Sequence, residues 1–360
     1  MTLTDISKIR LTNQQILKTE FRSIKELAGW MGAIQAQDYA MAKWAIGIRV
    51  QNPTDKVVEN AIDKGEIIRT HLLRPTWHFV MKEDLRWILE LSAPRIKQSL
   101  NSRHRELALT DAVFEATNTL IRQALTGGHH LTREELILIL KEAKIATGEN
   151  RASHIFLRAE LDGIICSGTV KGKKQTYALL DERIPKKRKF TREEALKKIA
   201  EKYYFSRGPA TLQDFIWWSG LSVTDGRNAL EMIRSGLMRE EIDSKIYWFK
   251  SPLISENDDS TAYLLPAFDE FIISYKDRTA ALSLINHKKA VSMNGIFKPV
   301  IIINGKVAGL WKRTVKDKKV TIETELFQSF NNRIKKSIEK CAGTYGSFLE
   351  KDTIVKYKTL

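Results

Sequence analysis

Two glutamines separated by one residue are the side chains best suited to chemistry in this 360-residue sequence. Gln35-Ala36-Gln37-Asp38 interrupts an otherwise apolar stretch that begins at Gly29. Alternate side chains of an extended segment share one side, so Gln35 and Gln37 would point the same way. Each amide has a carbonyl acceptor and an NH₂ donor, so the pair can orient a water without a titrating group. Polar residues at a helix end would explain the same pattern, and the motif by itself leaves both interpretations open.

Other catalytic patterns are scarce. The glycines at 168 and 172 lack the spacing and the Ser or Thr of a phosphate-binding loop. The seven histidines are scattered, and two cysteines, Cys166 and Cys341, are too few for a four-cysteine zinc site. A zinc deaminase is excluded because His-x-Glu with Cys-x-x-Cys does not occur. We therefore expect no metal ion and no cofactor.

The charge of the chain suggests an anionic partner. Lys and Arg number 59 against 43 Asp and Glu, a net charge of +16, which attracts nucleic acid. A basic surface without a specific partner would account for the same charge. No run approaches the roughly 18 apolar residues of a membrane span. With no signal peptide visible and only two cysteines, we expect a reduced, cytoplasmic protein that does not bind membranes.

The elements that would position these residues form a recurring pattern of two helices and a hairpin. The clearest copy predicts helices at 212–218 and 223–235 around a short turn, then strands at 237–241 and 245–249. Helix, short turn and helix is a helix-turn-helix, and the trailing hairpin makes it winged.

Two further copies precede this one. In the second, Thr132 and Glu135 form a capping box, a helix covers 153–161, and strands at 164–167 and 175–179 flank a basic tip. In the first, more diverged copy, helices at 24–31 and 57–64 precede strands at 67–72 and 76–80. Three copies in order indicate tandem winged-helix units.

The elements predicted after residue 255 are mainly strands. Strands are predicted at 262–266, 271–273, 299–304, 306–312 and 320–326, and a helix at 328–340. Asn304-Gly305 is a strong hairpin signal. The predicted fold is α+β, with three winged-helix units at 1–105, 106–185 and 186–255 around a β-rich C-terminal module at 256–360. The basic stretch 183–189 is interpreted as a solvated linker.

Four separated blocks of the sequence occur together in one known family. They are Gly32-Ala33-Ile34-Gln35-Ala36-Gln37-Asp38, Arg69-Thr70-His71-Leu72-Leu73-Arg74-Pro75-Thr76-Trp77-His78-Phe79-Val80, Leu264-Leu265-Pro266-Ala267-Phe268-Asp269-Glu270 with Tyr275-Lys276-Asp277-Arg278, and Ile303-Asn304-Gly305-Lys306-Val307-Ala308-Gly309. In this order they resemble the AlkZ-like winged-helix DNA glycosylases, over residues 10 to 350.

The resemblance implies three winged helices and a β module that enclose a basic channel for DNA. The family signature is Gln–apolar–Gln in the crosslink-unhooking type and Gln–apolar–Asp in a second type. This sequence matches the first type, which implies that Gln35 and Gln37 line the active site. A hairpin of the family probes the minor groove, and the Asn304-Gly305 turn is our candidate for it.

The resemblance and the charge together predict which residues contact DNA. These are Arg69, His71, Arg74, His78, Lys171, Lys173, Lys174, Asn304, Lys306, Lys312 and Arg313. Considered without the resemblance, His71 and His78 have a structural role by default. Aromatic rings that can stack on bases occur at Trp77, Trp217 and Trp218. Core packing is the better interpretation for all three.

The function expected from the resemblance is a monomeric, metal-independent DNA glycosylase. It would hydrolyse the N-glycosidic bond of alkylated purines in double-stranded DNA, N7-alkylguanine and crosslinked guanine included, and leave an abasic site. The alternative is a non-catalytic winged-helix regulator, which would bind one undamaged palindrome as a dimer. A third hypothesis is a protein that binds lesions without cleaving them.

Overall fold

The computed structural model describes residues 1–185, 189–250 and 260–358. Its helices are α1 (Leu3–Asn13), α2 (Ile24–Met31), α3 (Tyr39–Gly47), α4 (Asp55–Asp63), α5 (Lys82–Glu106), α6 (Asp111–Leu125), α7 (Arg133–Glu142), α8 (Arg151–Leu161), α9 (Leu180–Arg183), α10 (Arg192–Arg207), α11 (Leu212–Ser219), α12 (Val223–Glu231), α13 (Glu270–Ile273), α14 (Leu284–Ala290) and α15 (Asn332–Phe348). Its strands are β1 (Ile34–Gln35), β2 (Ile67–Leu72), β3 (Thr76–Met81), β4 (Leu131–Thr132), β5 (Ile165–Ser167), β6 (Thr176–Leu179), β7 (Met238–Ile242), β8 (Lys245–Phe249), β9 (Ala262–Leu265), β10 (Val300–Ile303), β11 (Lys306–Val315), β12 (Lys319–Leu326) and β13 (Asp352–Tyr357).

The predicted order of two helices and a hairpin occurs three times along the chain. The hairpins are β2–β3, β5–β6 and β7–β8, each antiparallel. The first two belong to three-stranded sheets of the same order, β1-β3-β2 and β4-β6-β5. Their interpretation as winged helices stays a prediction. The predicted boundary at 255/256 lies outside the described residues, as does the middle of the 183–189 stretch.

Local capping explains where several helices begin. The capping box predicted at Thr132 is confirmed, because its backbone N–H donates to Glu135 and its hydroxyl accepts from the Glu135 N–H. Thr211 and Asp214 form the same box at the start of α11. Gly220 ends α11 in the left-handed conformation, at φ +69°. The sequence therefore specifies α7 and α11 through residues within one turn of their ends.

A five-stranded sheet of order β13-β12-β11-β10-β9 forms most of the C-terminal part. β13 runs parallel to β12, and the other pairs are antiparallel. The final helix begins at 332, later than predicted, because the Asn331 side chain accepts the Ile334 N–H at 3.0 Å. None of the helices in the described ranges is both long and apolar enough to cross a bilayer.

The strand predicted at 271–273 is wrong. These residues belong to the short helix α13, whose first turn is capped by the Asp269 side chain accepting the Phe271 N–H at 2.9 Å. Every residue of α13 is buried. A short apolar run fits a buried helix as well as a buried strand, so periodicity does not distinguish the two.

The strand β1 lies where two hydrophobic cores meet. One core joins the β2–β3 hairpin with α5, α10, α11 and α12, and includes Ala33. The other joins α2, α3 and α4 with the five-stranded sheet and α15, and includes Ile34 and Ala36. The residues next to Gln35 are therefore fixed by packing against both cores.

Gly220 is the point where α11 approaches the β2–β3 turn. A Cβ atom there would lie 2.2 Å from the Leu73 carbonyl oxygen. We predict that Gly220→Ala lowers the free energy of unfolding by about 1–2 kcal/mol for the left-handed backbone and by a further ~1–3 kcal/mol for the clash. Gly128→Ala is the matched control, since Gly128 also has positive φ but no heavy atom within 4 Å of the added Cβ.

Urea denaturation of the two variants measures this difference. A larger loss for Gly220→Ala is the expected result. Equal losses would contradict a close contact between α11 and the hairpin.

Candidate active site

Gln35 is held at the edge of the β2–β3 hairpin by its backbone and its side chain. It lies opposite His78 of β3, and its backbone N–H donates to Glu270 Oε1 at 2.7 Å. Its side-chain Oε1 accepts from Arg74 Nη2 at 3.0 Å. The residue is 4% exposed, and within the described part of the chain its Nε2 has no hydrogen-bond partner. The amide is thus oriented through its carbonyl, which leaves its NH₂ as an unused donor.

Gln37 lies just beyond the end of β1 and is exposed. The Ala36 N–H donates to the Trp77 carbonyl at 2.7 Å, so pairing with the hairpin continues past the strand. Gln37 Oε1 is 3.5 Å from the Trp77 nitrogen, a long contact. Both glutamine side chains therefore contact the same hairpin, with Gln35 buried and Gln37 at the surface.

A buried ion pair positions the motif. Arg207, at the end of α10, donates to Glu270 Oε2 through Nε at 3.1 Å and Nη2 at 2.8 Å, and both side chains are inaccessible to solvent. The other donors of Arg207 reach the carbonyls of Met31 and Ala33, each at 2.6 Å. Arg207 therefore fixes the chain entering the motif, and Glu270 fixes Gln35 itself.

Glu270 and His78, which both lie beside the motif, have shifted pKa values. Burial opposes ionisation of Glu270, but the charge of Arg207 and the hydrogen bonds that Glu270 accepts outweigh it and lower the pKa to about 2. Burial, assisted by the charge of Arg74, lowers the pKa of His78 to about 3. At neutral pH Glu270 is therefore charged and His78 is neutral.

Arg69 holds the carbonyl between the two glutamines. Its Nε and Nη2 donate to Ala36 O at 3.0 and 2.9 Å, and its guanidinium lies 4.0 Å from the centre of the Trp77 ring system. Burial lowers the pKa of Arg69 to about 10. The predicted DNA contact at Arg69 is thus a buried side chain engaged with the motif, and sequence reasoning missed this positioning role.

The other predicted DNA contacts on this hairpin also bind the protein. His71 pairs with the buried Glu160, and its ring centroid is 4.1 Å from that of Trp77. His78 is 0% exposed, with Nδ1 2.9 Å from the Thr76 carbonyl. Arg74 bonds to Gln35, as described above. The structure therefore gathers these predicted residues around the motif, where His78 has no solvent-facing surface to offer DNA.

The lysines of the β5–β6 turn are exposed, as predicted for a basic tip. Lys171 and Lys174 pair with Glu135 at 2.7 Å and Glu134 at 3.4 Å, and Lys173 is exposed beside them. Exposed pairs of this kind contribute little stability. These ammonium groups can therefore exchange their carboxylate partners for phosphates.

Lys312 and Arg313 are neighbours on β11 and lie on opposite faces of its sheet. Lys312 is exposed across from Glu323. Arg313 is partly buried, donates to the Tyr345 hydroxyl at 2.8 Å and lies 4.0 Å from Asp38. Of this predicted pair, only Arg313 is next to the glutamine motif.

The Asn304-Gly305 turn is confirmed as a hairpin but is packed against α1. The Ser7 hydroxyl donates to the Gly305 carbonyl, and a Cβ on Gly305 would lie 3.1 Å from Ser7 Oγ. Lys306 donates to the Ala280 carbonyl at 2.6 Å. Gly305 therefore faces protein, which argues against this turn as the hairpin that enters a groove. The end of the β11–β12 hairpin, residues 314–319, is exposed instead.

The positioning residues of the site were the hardest to find from sequence. Glu270 belongs to a block noted for its resemblance, but its pairing with Arg207 spans 63 residues and no local pattern indicates it. In the same block Asp269 forms a second buried pair, with Arg49, at 2.7 Å. Across the described ranges, no group of three or more His, Cys, Asp or Glu side chains is arranged to hold a metal ion.

Comparison with known proteins identifies the family of the chain. A family model described as "DNA glycosylase AlkZ-like" matches residues 28–348. The glutamine motif lies inside that range, and the chain belongs to this family of DNA glycosylases.

Relatives agree with that assignment. An "Interstrand DNA cross-link repair glycosylase" from Streptomyces sahachiroi is 22% identical over 313 residues, which cover 81% of this chain and 82% of the relative. The solved structure of "Streptomyces sahachiroi DNA glycosylase AlkZ" superimposes with a TM-score of 0.82 at 18% identity, over 99% of this chain and all of that one. The fold is therefore shared over the full length of the two chains.

Replacing Glu270 by Gln would leave Arg207 charged and without its ion-pair partner in the interior. We predict that Glu270→Gln lowers the free energy of unfolding at pH 7.5 by about 3–5 kcal/mol, as for other buried pairs that lose one partner. Glu142→Gln, at an exposed position on α7, is the matched control and should change stability by less than ~0.5 kcal/mol.

The contribution of Glu270 to the free energy of unfolding depends on pH. The pKa of Glu270 is lowered on folding, from 4.5 to about 2, so its contribution is complete above pH 4.5 and is lost as the pH falls toward 2. Urea denaturation at several pH values should show the wild type and Glu270→Gln converging in acid. A constant difference down to pH 3 would contradict this account.

Proposed function

We propose that this protein hydrolyses the N-glycosidic bond of purines alkylated at N7 in double-stranded DNA, including guanines joined in an interstrand crosslink. The observation that carries the proposal is the pair of amides, Gln35 and Gln37, on one hairpin edge of a DNA glycosylase family member. The named activity of the Streptomyces sahachiroi relative supports the crosslink. Family and relative both favour an enzyme over a non-catalytic regulator.

The chemistry suits a site built from amides. A purine alkylated at N7 is cationic, so it departs from C1′ with the bonding electron pair as a neutral base and needs no general acid. The sugar is left as an oxocarbenium ion. A water oxygen bonds to C1′, its extra proton goes to solvent, and an abasic site remains. The protein must place that water and stabilise the cationic sugar.

The two glutamines would divide this work. The Gln35 carbonyl is occupied by Arg74, so its NH₂ donates to one lone pair of the water. The Gln37 carbonyl has only a 3.5 Å contact and accepts a hydrogen of the same water. The remaining lone pair is then directed at C1′. The carbonyl dipole of Gln37 beside the sugar stabilises the positive charge that develops there.

An exposed Gln37 fits a bulky substrate. Many glycosylases extrude the damaged base into a closed pocket, which a base tethered to the opposite strand cannot enter readily. Here one of the two amides lies at the surface, and the other is buried two residues before it in the chain. A shallow site of this kind would admit a crosslinked guanine that stays attached to its partner strand.

The exposed end of the β11–β12 hairpin is the revised candidate for the element that contacts a groove. It carries Lys316, Lys318 and Lys319, all exposed. Arg313, near the same end of β11, lies 4.0 Å from Asp38, next to Gln37. The basic β5–β6 tip would bind phosphates, as the net charge of +16 favours.

Alanine at either glutamine is the test of this function. We predict that Gln35→Ala and Gln37→Ala each slow the release of N7-methylguanine from a defined duplex by about 100-fold or more, the effect of removing one preorganised hydrogen-bonding group. DNA affinity should change little, because neither amide carries charge. Gln123→Ala, at an exposed glutamine of α6, is the matched control.

Single-turnover kinetics measure base release, and a duplex with a defined crosslink is the second substrate. Equal rates for the wild type and both alanine variants would contradict the assigned site. No release from either substrate by the wild type would contradict the proposed function and favour a protein that only binds DNA.

A further inference from the structure

Two arginines and an exposed tryptophan form a cluster beside Gln35. Trp217 of α11 is 39% exposed. The guanidinium carbons of Arg74 and Arg278 lie 5.7 and 5.4 Å from the centre of its ring system. Arg74 also donates to Gln35 Oε1 at 3.0 Å. The cluster therefore adjoins the candidate active site through a shared side chain.

The short helix α13 fixes the position of this cluster. The Trp217 Nε1–H donates to the Ile273 carbonyl at 3.0 Å, and Arg278 Nε donates to the Ile272 carbonyl at 3.1 Å. Glu270, at the start of the same helix, accepts the Gln35 N–H. One element thus positions both the glutamine motif and the cluster, which makes their relative placement rigid.

Neither arginine of the cluster forms an ion pair with a carboxylate in the described part of the chain. Arg74 bonds to an amide, and its Nε is buried without a partner. Besides the Ile272 carbonyl, Arg278 has a 3.4 Å contact with the Lys276 carbonyl.

Nearby acids are engaged elsewhere. Glu270 pairs with Arg207, and Asp277 pairs with Lys245. Asp214 accepts the backbone N–H groups of residues 276 and 277. The cluster therefore carries two positive charges that the surrounding acids do not neutralise by direct contact.

Two such charges at close range are unfavourable in the free protein. Burial and the neighbouring charge of Arg74 lower the pKa of Arg278 to about 10, which reflects this cost. Buried charges are normally paired, and a missing partner is most simply an anion supplied by the substrate. The forked guanidinium matches phosphate oxygens in two hydrogen bonds, which an ammonium group does not.

The positive charge of the cluster also indicates which part of a nucleotide it binds, the damaged base or the phosphate. A purine alkylated at N7 is cationic, and two guanidinium groups beside Trp217 would repel it. A phosphodiester is attracted by both groups. The cluster therefore suits the DNA backbone better than the damaged base.

We propose that Arg74, Arg278 and Trp217 form a phosphate site that holds a phosphodiester next to the nucleotide whose base is released. The placement beside the lesion rests on the proposed function, whereas the phosphate binding does not. Because Arg74 contacts both Gln35 and this site, a bound phosphate fixes the backbone next to the motif.

The salt dependence of DNA binding tests the site. Each phosphate contact contributes about −0.9 to the slope of log K against log salt concentration. We expect Arg278→Gln to make the slope shallower by about 0.9 on a duplex with one N7-methylguanine. Measuring in the Gln37→Ala background slows base release during the titration and keeps the hydrogen bond between Arg74 and Gln35. Arg103→Gln, at an exposed arginine of α5 paired with Glu106, is the control and should leave the slope unchanged.

Neutral methylphosphonates locate the phosphate. Each phosphate around the lesion is replaced in turn by a methylphosphonate. At one or two positions the replacement should weaken DNA binding by the parent protein about 10-fold. At those positions the replacement should not weaken DNA binding by Arg278→Gln any further. A merely structural role would lower affinity evenly at all positions. Arg278→Lys keeps the positive charge but lacks the forked guanidinium. The salt dependence of its DNA binding should therefore equal that of the parent protein, while its affinity for DNA should be lower. Thermal melting confirms that each variant is folded.

The outcomes separate this site from the proposed function. An unchanged slope and an unchanged methylphosphonate profile in folded Arg278→Gln would overturn the phosphate site, even if the wild type releases the base. A shallower slope with a position-specific profile would support the site, even if the wild type releases no base from any substrate.

Discussion

The buried ion pair between Arg207 and Glu270 is the interaction on which the candidate site depends. It joins three parts of the chain that are far apart in sequence, namely the end of α10, the start of α13 and the segment entering β1. Separating a buried pair is costly because each remaining charge loses its partner without gaining water. The second oxygen of Glu270 accepts the Gln35 N–H. The stable ion pair therefore holds the glutamine motif rigidly in place.

The arginines around this pair illustrate two different uses of the same side chain. Arg207 and Arg49 face buried carboxylates and hold the protein together. Arg69 binds the carbonyl between the glutamines. Arg74 and Arg278 lie near the same elements, yet no carboxylate in the described ranges neutralises them by direct contact. The positive charges of Arg49 and Arg207 in the interior are thus neutralised by carboxylates, whereas those of Arg74 and Arg278 at the edge of the site stay available. An enzyme that acts on DNA needs such charges to bind phosphates.

Features set by nearby residues were predictable from sequence. The capping box at Thr132, the strands of the β2–β3 hairpin and the Asn304-Gly305 turn each follow from residues close along the chain. The surroundings of the same features were not predictable. The contact that buries the Asn304-Gly305 turn comes from Ser7, 298 residues away, and the contact that holds Gln35 comes from 235 residues away. Likewise, periodicity does not distinguish α13 from a strand, because its four residues are all buried and show no period of their own.

In the proposed reaction, Glu270 acts through Gln35, which it positions. A double-mutant cycle tests this role most directly, with single-turnover base release measured for the wild type, Gln35→Ala, Glu270→Gln and the double variant, all well below their melting temperatures. If Glu270 serves to position Gln35, the double variant will release the base within about twofold of the Gln35→Ala rate. Rate losses that multiply independently would show that the two residues act separately, and would contradict the account.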